Sequence, residues 1–356
     1  MVIFNRKKVV IYAEGRFNSI NAKVAASFLR YHAEKCIAVI DSTQEGKKCQ
    51  EILGYAGDIP VVKSLSDVID SKPDIFLIGN GLFHNELPAA YREQIKMALE
   101  SGMDVVSGIH FRLADDPEFA ELAQKTGAVI WDTKEPPKDL TTSQNLIKDI
   151  EQFVVHTVGS DCRVGKKTTA LEICNELSNQ GIENVFAATG QSGIYISGKG
   201  IAIDAVPGDF IAGATEKLIL DSVKGTQAEV VLLEGQGSIT HPAYSSVTLG
   251  LLHGAMPQAL ILCHEAGLKA HKDWEQIPLL PLNELIKIYE TLGSFMRPCK
   301  IVGISVNCAG LTEDEAEKVV AQIESETGLP SADVIKQSAS KLVKAINNYR
   351  RTYVGE

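Results

Sequence analysis

The chain has 356 residues, 45% of them hydrophobic and 22% charged, with a formal net charge of −10. That length suffices for two ordinary domains, each with its own core. The acidic balance argues against bulk binding to nucleic acid or to an anionic membrane surface, which runs on many Lys and Arg contacts, so an anionic substrate would need a local cationic pocket.

Through the first third, short β-type runs alternate with helical patterns. KVVIYAEG (8–15) reads as a strand entering a glycine turn, NAKVAASFLRYHAE (21–34) as a helix, and CIAVIDS (36–42) as a strand ending at Asp41. SLSDVIDS (64–71) reads as a short helix, PDIFLIGNG (73–81) as a strand, and LPAAYREQIKMALESG (87–102) as a helix. MDVVSGI (103–109) and AVIWDT (128–133) read as strands around the helix DPEFAELAQKTG (116–127). Such alternation implies a parallel sheet covered by helices on both faces, a Rossmann-like domain. The polar stretch DTKEPPKDLTTS (132–143) breaks the pattern, and the expected boundary lies there, giving domains 1–139 and 140–356. Alternation then resumes. QFVVHTVG, ENVFAATG, AEVVLLEG, QALILCHE and CKIVGISVN read as strands. TTALEICNELSNQ, GATEKLILDSVK, LNELIKIYETLGSF and TEDEAEKVVAQIESET read as helices. The fold class is therefore α/β twice over.

The seven cysteines are scattered with no C-x-x-C pair, which argues against a disulfide framework or a zinc site and fits a reducing cytoplasm. The opening residues MVIFNRKKVVIYAEG lack a secretory layout, and no uncharged apolar run approaches the roughly 18 residues of a membrane span.

The chemistry gathers at GSDCRVGKKTT (159–169), between an apolar strand and an amphipathic helix. A P-loop reads G-x-x-x-x-G-K-[ST] in that setting. Its glycines let backbone N–H groups turn inward on a phosphate, the helix adds its positive end, the lysine neutralises charge, and a hydroxyl holds Mg²⁺. Here Gly159 to Gly165 is one residue longer than the pattern. Lys167 stands where the hydroxyl belongs, with Thr168 and Thr169 after it. The loop is expected to bind a phosphate, but the displaced hydroxyl weakens the Mg²⁺ geometry on which phosphoryl transfer depends. Downstream, AEVVLLEGQG ends a strand at Glu234, placed to hold a metal-bound water or to orient a substrate. The N-terminal domain lacks G-x-G-x-x-G, so NAD is weakly supported there although Asp41 ends the second strand.

Several stretches carry a family resemblance: VGSDCRVGKKTTALE, TGQSGIYISGKGIAIDAVPGDFIAGATE, LLEGQGSITHPAYSSVTLGLLHGAMPQALILCHEAG and SVNCAGL. At the front, YAEGRFNSINAKVAASFLRY, GMDVVSGIHFRLADDPEFAELA and VIWDTKEPP carry it too. The chain resembles a bacterial family long described as of unknown function that includes D-glutamate N-acetyltransferase. The resemblance implies a Rossmann-like N-terminal domain and a P-loop domain similar to dethiobiotin synthetase. It also implies transfer of an acetyl group from acetyl-coenzyme A to the amine of D-glutamate. Dethiobiotin synthetase has a threonine directly after its Gly-Lys, whereas this chain has Lys167, which weighs against ATP-driven activation.

On that reading the loop holds the phosphates of coenzyme A through Lys166 and the backbone from Ser160 to Thr168, with Gly159, Asp161, Gly165, Lys167 and Thr169 framing it and Arg163 adding charge. Asn307, at the end of KIVGISVN, is placed to read a purine. The base is His241, His264 or Glu234, since an imidazole suits general-base work near neutrality. His253 reads as packed, and His32 and His271 as solvated. Lys199, Lys269, Lys272 and Arg297 are available cations for the two carboxylates of glutamate, though each is more often just surface charge. Gln191 and Ser192 are candidates for the substrate. Asp204 and Asp209 either read its ammonium group or cap a helix. Two rivals stand beside this reading: an ATP-dependent ligase with Mg²⁺ on Thr168 and Glu234, and a non-catalytic nucleotide sensor. The expected partners are small molecules and further copies of the chain, not nucleic acid or membrane.

Overall fold

A computed structural model describes residues 4, 7–19, 21–81 and 86–354. The chain forms two compact units. The first comprises Met1–Pro136 with Gln191–Ala205, and the second Pro137–Gly190 with Val206–Glu356.

In the first unit the order is β1 (Val9–Tyr12), α1 (Lys23–His32), β2 (Cys36–Ile40), α2 (Cys49–Leu53), β3 (Val61–Val62) and β4 (Ile75–Ile78). It continues with α3 (Ala89–Glu100), β5 (Asp104–Ser107), α4 (Pro117–Thr126) and β6 (Ile130–Asp132). The parallel sheet runs β3-β2-β1-β4-β5-β6, a Rossmann-like order with its switch point between β1 and β4. The runs VVIY and IFLI are buried throughout, as strands covered on both faces must be. Local chemistry sets the helix ends. Asp116 accepts from the Glu118 and Phe119 N–H groups ahead of Pro117, and Gly127 closes α4 in the left-handed region. The segment SLSDVIDS, expected as a helix, is instead two 3₁₀ turns, Leu65–Asp67 and Ile69–Ser71. Asp41 does not face outward as a ribose-binding acid would. Its carboxylate accepts from Gly15 N, Phe17 N, Thr43 N and Thr43 Oγ1, and so ties down the turn after β1.

The second unit opens with β7 (Phe153–Gly159), α5 (Lys166–Asn179) and β8 (Asn184–Ala187). The chain then forms α6 (Gln191–Ser197), which packs in the first unit. It returns as α7 (Ile211–Val223), β9 (Val230–Leu233), α8 (Ser245–Ala255) and β10 (Ala259–Glu265). A hairpin of β11 (Ala270–His271) and β12 (Trp274–Pro278) follows. After it come α9 (Leu282–Gly293), β13 (Lys300–Asn307), α10 (Glu313–Thr327), β14 (Ser331–Ala332) and α11 (Ser340–Val354). The parallel sheet runs β14-β13-β10-β7-β9-β8, with β7 central and buried along its whole length. Its core is aliphatic on both faces: Val155, Ile173, Leu232, Ile261 and Leu342 on one, Val158, Leu260, Leu262, Leu285 and Ile304 on the other. Among the described residues no helix is long and apolar enough to cross a membrane.

Candidate functional site

Strand β7 ends at Gly159, and α5 begins seven residues later at Lys166. The turn between them bends through Arg163 (φ 58°) and Gly165 (φ 107°), a left-handed pair that a run of ordinary residues would resist. Val164 is buried and anchors the turn. Lys166 folds back into it: Nζ donates to the Asp161 carbonyl at 2.7 Å, and the side chain is 6% exposed. Burial lowers its pKa, so an anion entering the turn would be welcomed by a poorly solvated cation. Gly235 makes room for this lysine. A Cβ there would lie 1.7 Å from the Thr157 carbonyl oxygen and 3.0 Å from Lys166 Cδ.

The hydroxyls near the turn are already directed elsewhere. Ser160 Oγ lies 2.9 Å from His264 Nδ1, and Thr169 Oγ1 lies 2.7 Å from Ser305 Oγ. Lys167 and Thr168 are half-buried on the first turn of α5. Glu234, at the end of β9, is buried, and its Oε2 accepts from Thr189 N (2.9 Å) and Gly190 N (3.0 Å), pinning the exit from β8. Oε2 of Glu234 is thus committed to backbone, and Lys167 stands in the hydroxyl's usual place.

Asp161 is the second centre. It is fully buried, and its Oδ1 accepts from His271 Nδ1 at 2.8 Å while Oδ2 accepts from Lys272 N at 2.8 Å. Burial alone would raise its pKa, but the His271 ring and the Lys272 and Cys162 backbone N–H groups outweigh it and keep the carboxyl below its ordinary range. His271 comes from the β11–β12 hairpin, which is clamped to the loop: Arg163 pairs with Asp273, and Lys272 Nζ reaches Glu265 (2.5 Å) and the Arg163 carbonyl (3.3 Å). His271 is not solvated as the sequence suggested. It is 1% exposed, because its partner lies 110 positions away and no local pattern announces it. His32 is also tied down, with Nε2 2.7 Å from the Ile196 carbonyl. His253 is half-buried on α8 and contacts the Leu292 carbonyl.

His241 completes the cluster. Its Nε2 lies 3.9 Å from Asp161 Oδ1, and its ring meets Tyr244 and His271 at centroid distances of 4.8 and 5.1 Å. Burial lowers its pKa against the pull of Asp161. Among the described residues, Asp161, His241 and His271 form a group whose ligand-type atoms lie within 4.8 Å of one another. The hydrogen bonds of the group set the tautomers of its two rings. The Ala243 N–H aims at His241 Nδ1 (3.1 Å), which puts the proton on Nε2, the atom a metal would need. By the same logic His271 carries its proton on Nδ1, facing Asp161. Its Nε2 meets Thr240 Oγ1 at 3.4 Å. For His264, burial lowers the pKa and Glu265 opposes it.

Asn307 sits beside the loop, with Cβ 3.9 Å from where a Cβ on Gly165 would lie. Its amide reaches Glu265 and accepts from Ala309 N. The other candidates do not gather here. Gln191 and Ser192 open α6 in the first unit, where Asp204 pairs with Lys134 at 3.4 Å. Asp209 is exposed, and it does not cap α7, whose N-cap is Phe210 with no side-chain bond. Arg297 is no surface cation: it donates to the Met256 carbonyl and to Gln258 Oε1 and braces the start of β7 through Gln258.

A parallel sheet of Rossmann-like order joined to a unit whose central strand feeds a Gly-Lys turn defines a two-domain P-loop α/β protein. Residues 141–343 match a family described as a domain of unknown function, the DUF1611 C-terminal P-loop domain, and residues 42–136 match its N-terminal Rossmann-like domain. The chain is similar to a D-glutamate N-acetyltransferase from Tritonibacter scottomollicae, 38% identical over 257 residues, which are 72% of this chain and 76% of that one. It is similar to a second of that name from a Pseudoalteromonas species, 34% identical over 250 residues, 70% and 74% of the two chains. The crystal structure of a DUF1611 family protein from Anabaena variabilis superposes with a TM-score of 0.90 at 34% identity, covering 96% of this chain and 99% of that one. The chain belongs to the DUF1611 family.

Proposed function

We propose that the protein is an N-acetyltransferase that moves the acetyl group of acetyl-coenzyme A to the amine of D-glutamate or a related amino acid. The observation that carries this reading is the pair of relatives named D-glutamate N-acetyltransferase, matched at 38% and 34% identity over about three quarters of their lengths. The site is chemically suited to it. The Gly159–Lys166 turn offers inward N–H groups and a buried cation to an anionic group of the substrates. Lys167 in the place of the usual hydroxyl speaks against the ligase rival. Acyl transfer between a thioester and an amine needs no metal: the amine must lose a proton, sit about 3 Å from the carbonyl carbon and meet a charge stabiliser. Buried imidazoles next to the turn provide proton acceptors.

The test is thiol release from acetyl-coenzyme A with a panel of D- and L-amino acids. The expected result is release that depends on D-glutamate or a close relative. Release with no amine in the panel, combined with ADP formation from ATP and a dicarboxylic acid, would replace this reading with the ligase.

A further inference from the structure

We propose that His271, oriented by Asp161, is the general base for the acceptor amine, and that the acceptor's carboxylate, rather than the coenzyme's tail, occupies the Gly159–Lys166 turn. The proposal rests on the acetyltransferase reading and deepens it.

The geometry joins an anion cradle to a base through one residue. Asp161 presents its carbonyl to Lys166 Nζ at 2.7 Å and its carboxylate to His271 Nδ1 at 2.8 Å. A substrate anchored on Lys166 and deprotonated by His271 must therefore carry its anion and its reacting nitrogen close together. In an amino acid they are a few covalent bonds apart. In acetyl-coenzyme A the whole pantetheine arm separates the phosphates from the thioester, so a coenzyme gripped at this turn would leave the base far from the chemistry. An amino acid fits the arrangement, and its carboxylate suits inward N–H groups as well as a phosphate does.

The other candidates for the base have different partners. Glu234 Oε2 accepts two backbone N–H groups, His241 Nδ1 accepts from Ala243, and His264 Nδ1 is on Ser160. His271 combines a buried orienting carboxylate on Nδ1 with an Nε2 that, among the described residues, meets a long contact to Thr240, the spot an incoming amine would take. In the reaction the ammonium gives one proton to His271 Nε2. The free amine attacks the thioester carbonyl carbon, the C–N bond forms and the C–S bond breaks. The departing thiolate takes the second amine proton, and His271 returns its own to solvent. Asp161 acts through His271 and is a positioning residue.

Steady-state kinetics on the full chain with acetyl-coenzyme A and D-glutamate test this. His271→Asn keeps an N–H for Asp161 but deletes the basic nitrogen. Its kcat should fall by roughly 10²–10⁴-fold with the D-glutamate KM unchanged. Asp161→Asn should lower kcat, leave that KM in place and shift the pH profile of kcat, which a smaller folded fraction would not do. Lys166→Met should raise the D-glutamate KM on the order of 30-fold or more, while coenzyme A binding by calorimetry is retained. If His271→Asn fails to fold, the Lys166→Met comparison still decides the placement, and Asp161→Asn the base. Wild-type kcat in folded His271→Asn overturns the base. Loss of coenzyme A binding in Lys166→Met with an intact D-glutamate KM overturns the placement and leaves the acetyltransferase standing. Absence of thiol release by the wild type with any amine removes both.

Discussion

Lys166 and Asp161 owe their character to burial, and the residues that bury them are as specific as the pair itself. Gly235 is the sharpest case: with a Cβ position 1.7 Å from the Thr157 carbonyl, Gly235→Ala must push β9 away from β7. The variant should lose stability at or above the top of the roughly 1–3 kcal/mol usual for overpacking, read as a lower denaturant midpoint. The tautomer argument is equally open to measurement. Nitrogen NMR of the histidines should show His241 protonated on Nε2 and bare on Nδ1, because Ala243 N–H points at the latter; a proton on Nδ1 would reopen the case for a metal in the cluster. At this scale the sequence exposes what is contiguous and hides what is not. Lys166 was legible because strand, turn and helix adjoin it. The burial of His271 was hidden because a partner 110 residues away leaves no mark on its neighbours in sequence.

Among the elements, β7 shows how a motif can be read and a property missed. Its run FVVHTV announces a doubly covered strand, but His156 sits in the middle of it, fully buried, with Nδ1 3.3 Å from the Leu233 carbonyl and Nε2 without a partner. Burial depresses its pKa from 6.5 to about 4, with the Leu233 contact opposing and the Lys166 charge assisting. The folded state thus binds fewer protons than the unfolded chain between those values, so stability is full above pH 6.5 and falls as the pH drops toward 4. His156→Leu should remove this loss, and wild type should weaken relative to it across that window on the order of 3 kcal/mol. Parallel urea titrations at several pH values would show it; equal slopes would refute it. Long periodic elements such as α10, opened by the Thr312–Glu315 capping box and closed by Gly328, were readable from local chemistry. SLSDVIDS was not, since a window that short satisfies 3₁₀ turns as well as a helix. The hairpin β11–β12 also escaped: its polar strand WEQIP lacks the apolar alternation of a half-buried strand, and it is held by the distant pairing of Arg163 with Asp273 and the nearer one of Lys272 with Glu265.

At the scale of the whole molecule, two parallel sheets of different order are strung on one chain, and the second sends α6 into the first unit before returning. The α/β class and the P-loop were evident because alternation of strand and helix has few compact solutions. The excursion of 191–205 was not, because TGQSGIYISG reads as a loop and its burial depends on the unit it joins. The central claim, an acetyl transfer in which no nucleotide is consumed, is tested most directly by product analysis. Purified protein would be incubated with acetyl-coenzyme A and D-glutamate, with and without ATP and Mg²⁺, and the products resolved by mass spectrometry. The account predicts N-acetyl-D-glutamate and free coenzyme A in equal amounts, indifferent to ATP. An N-acetyl product that forms only with ATP turnover, or no N-acetyl product at all, would contradict it.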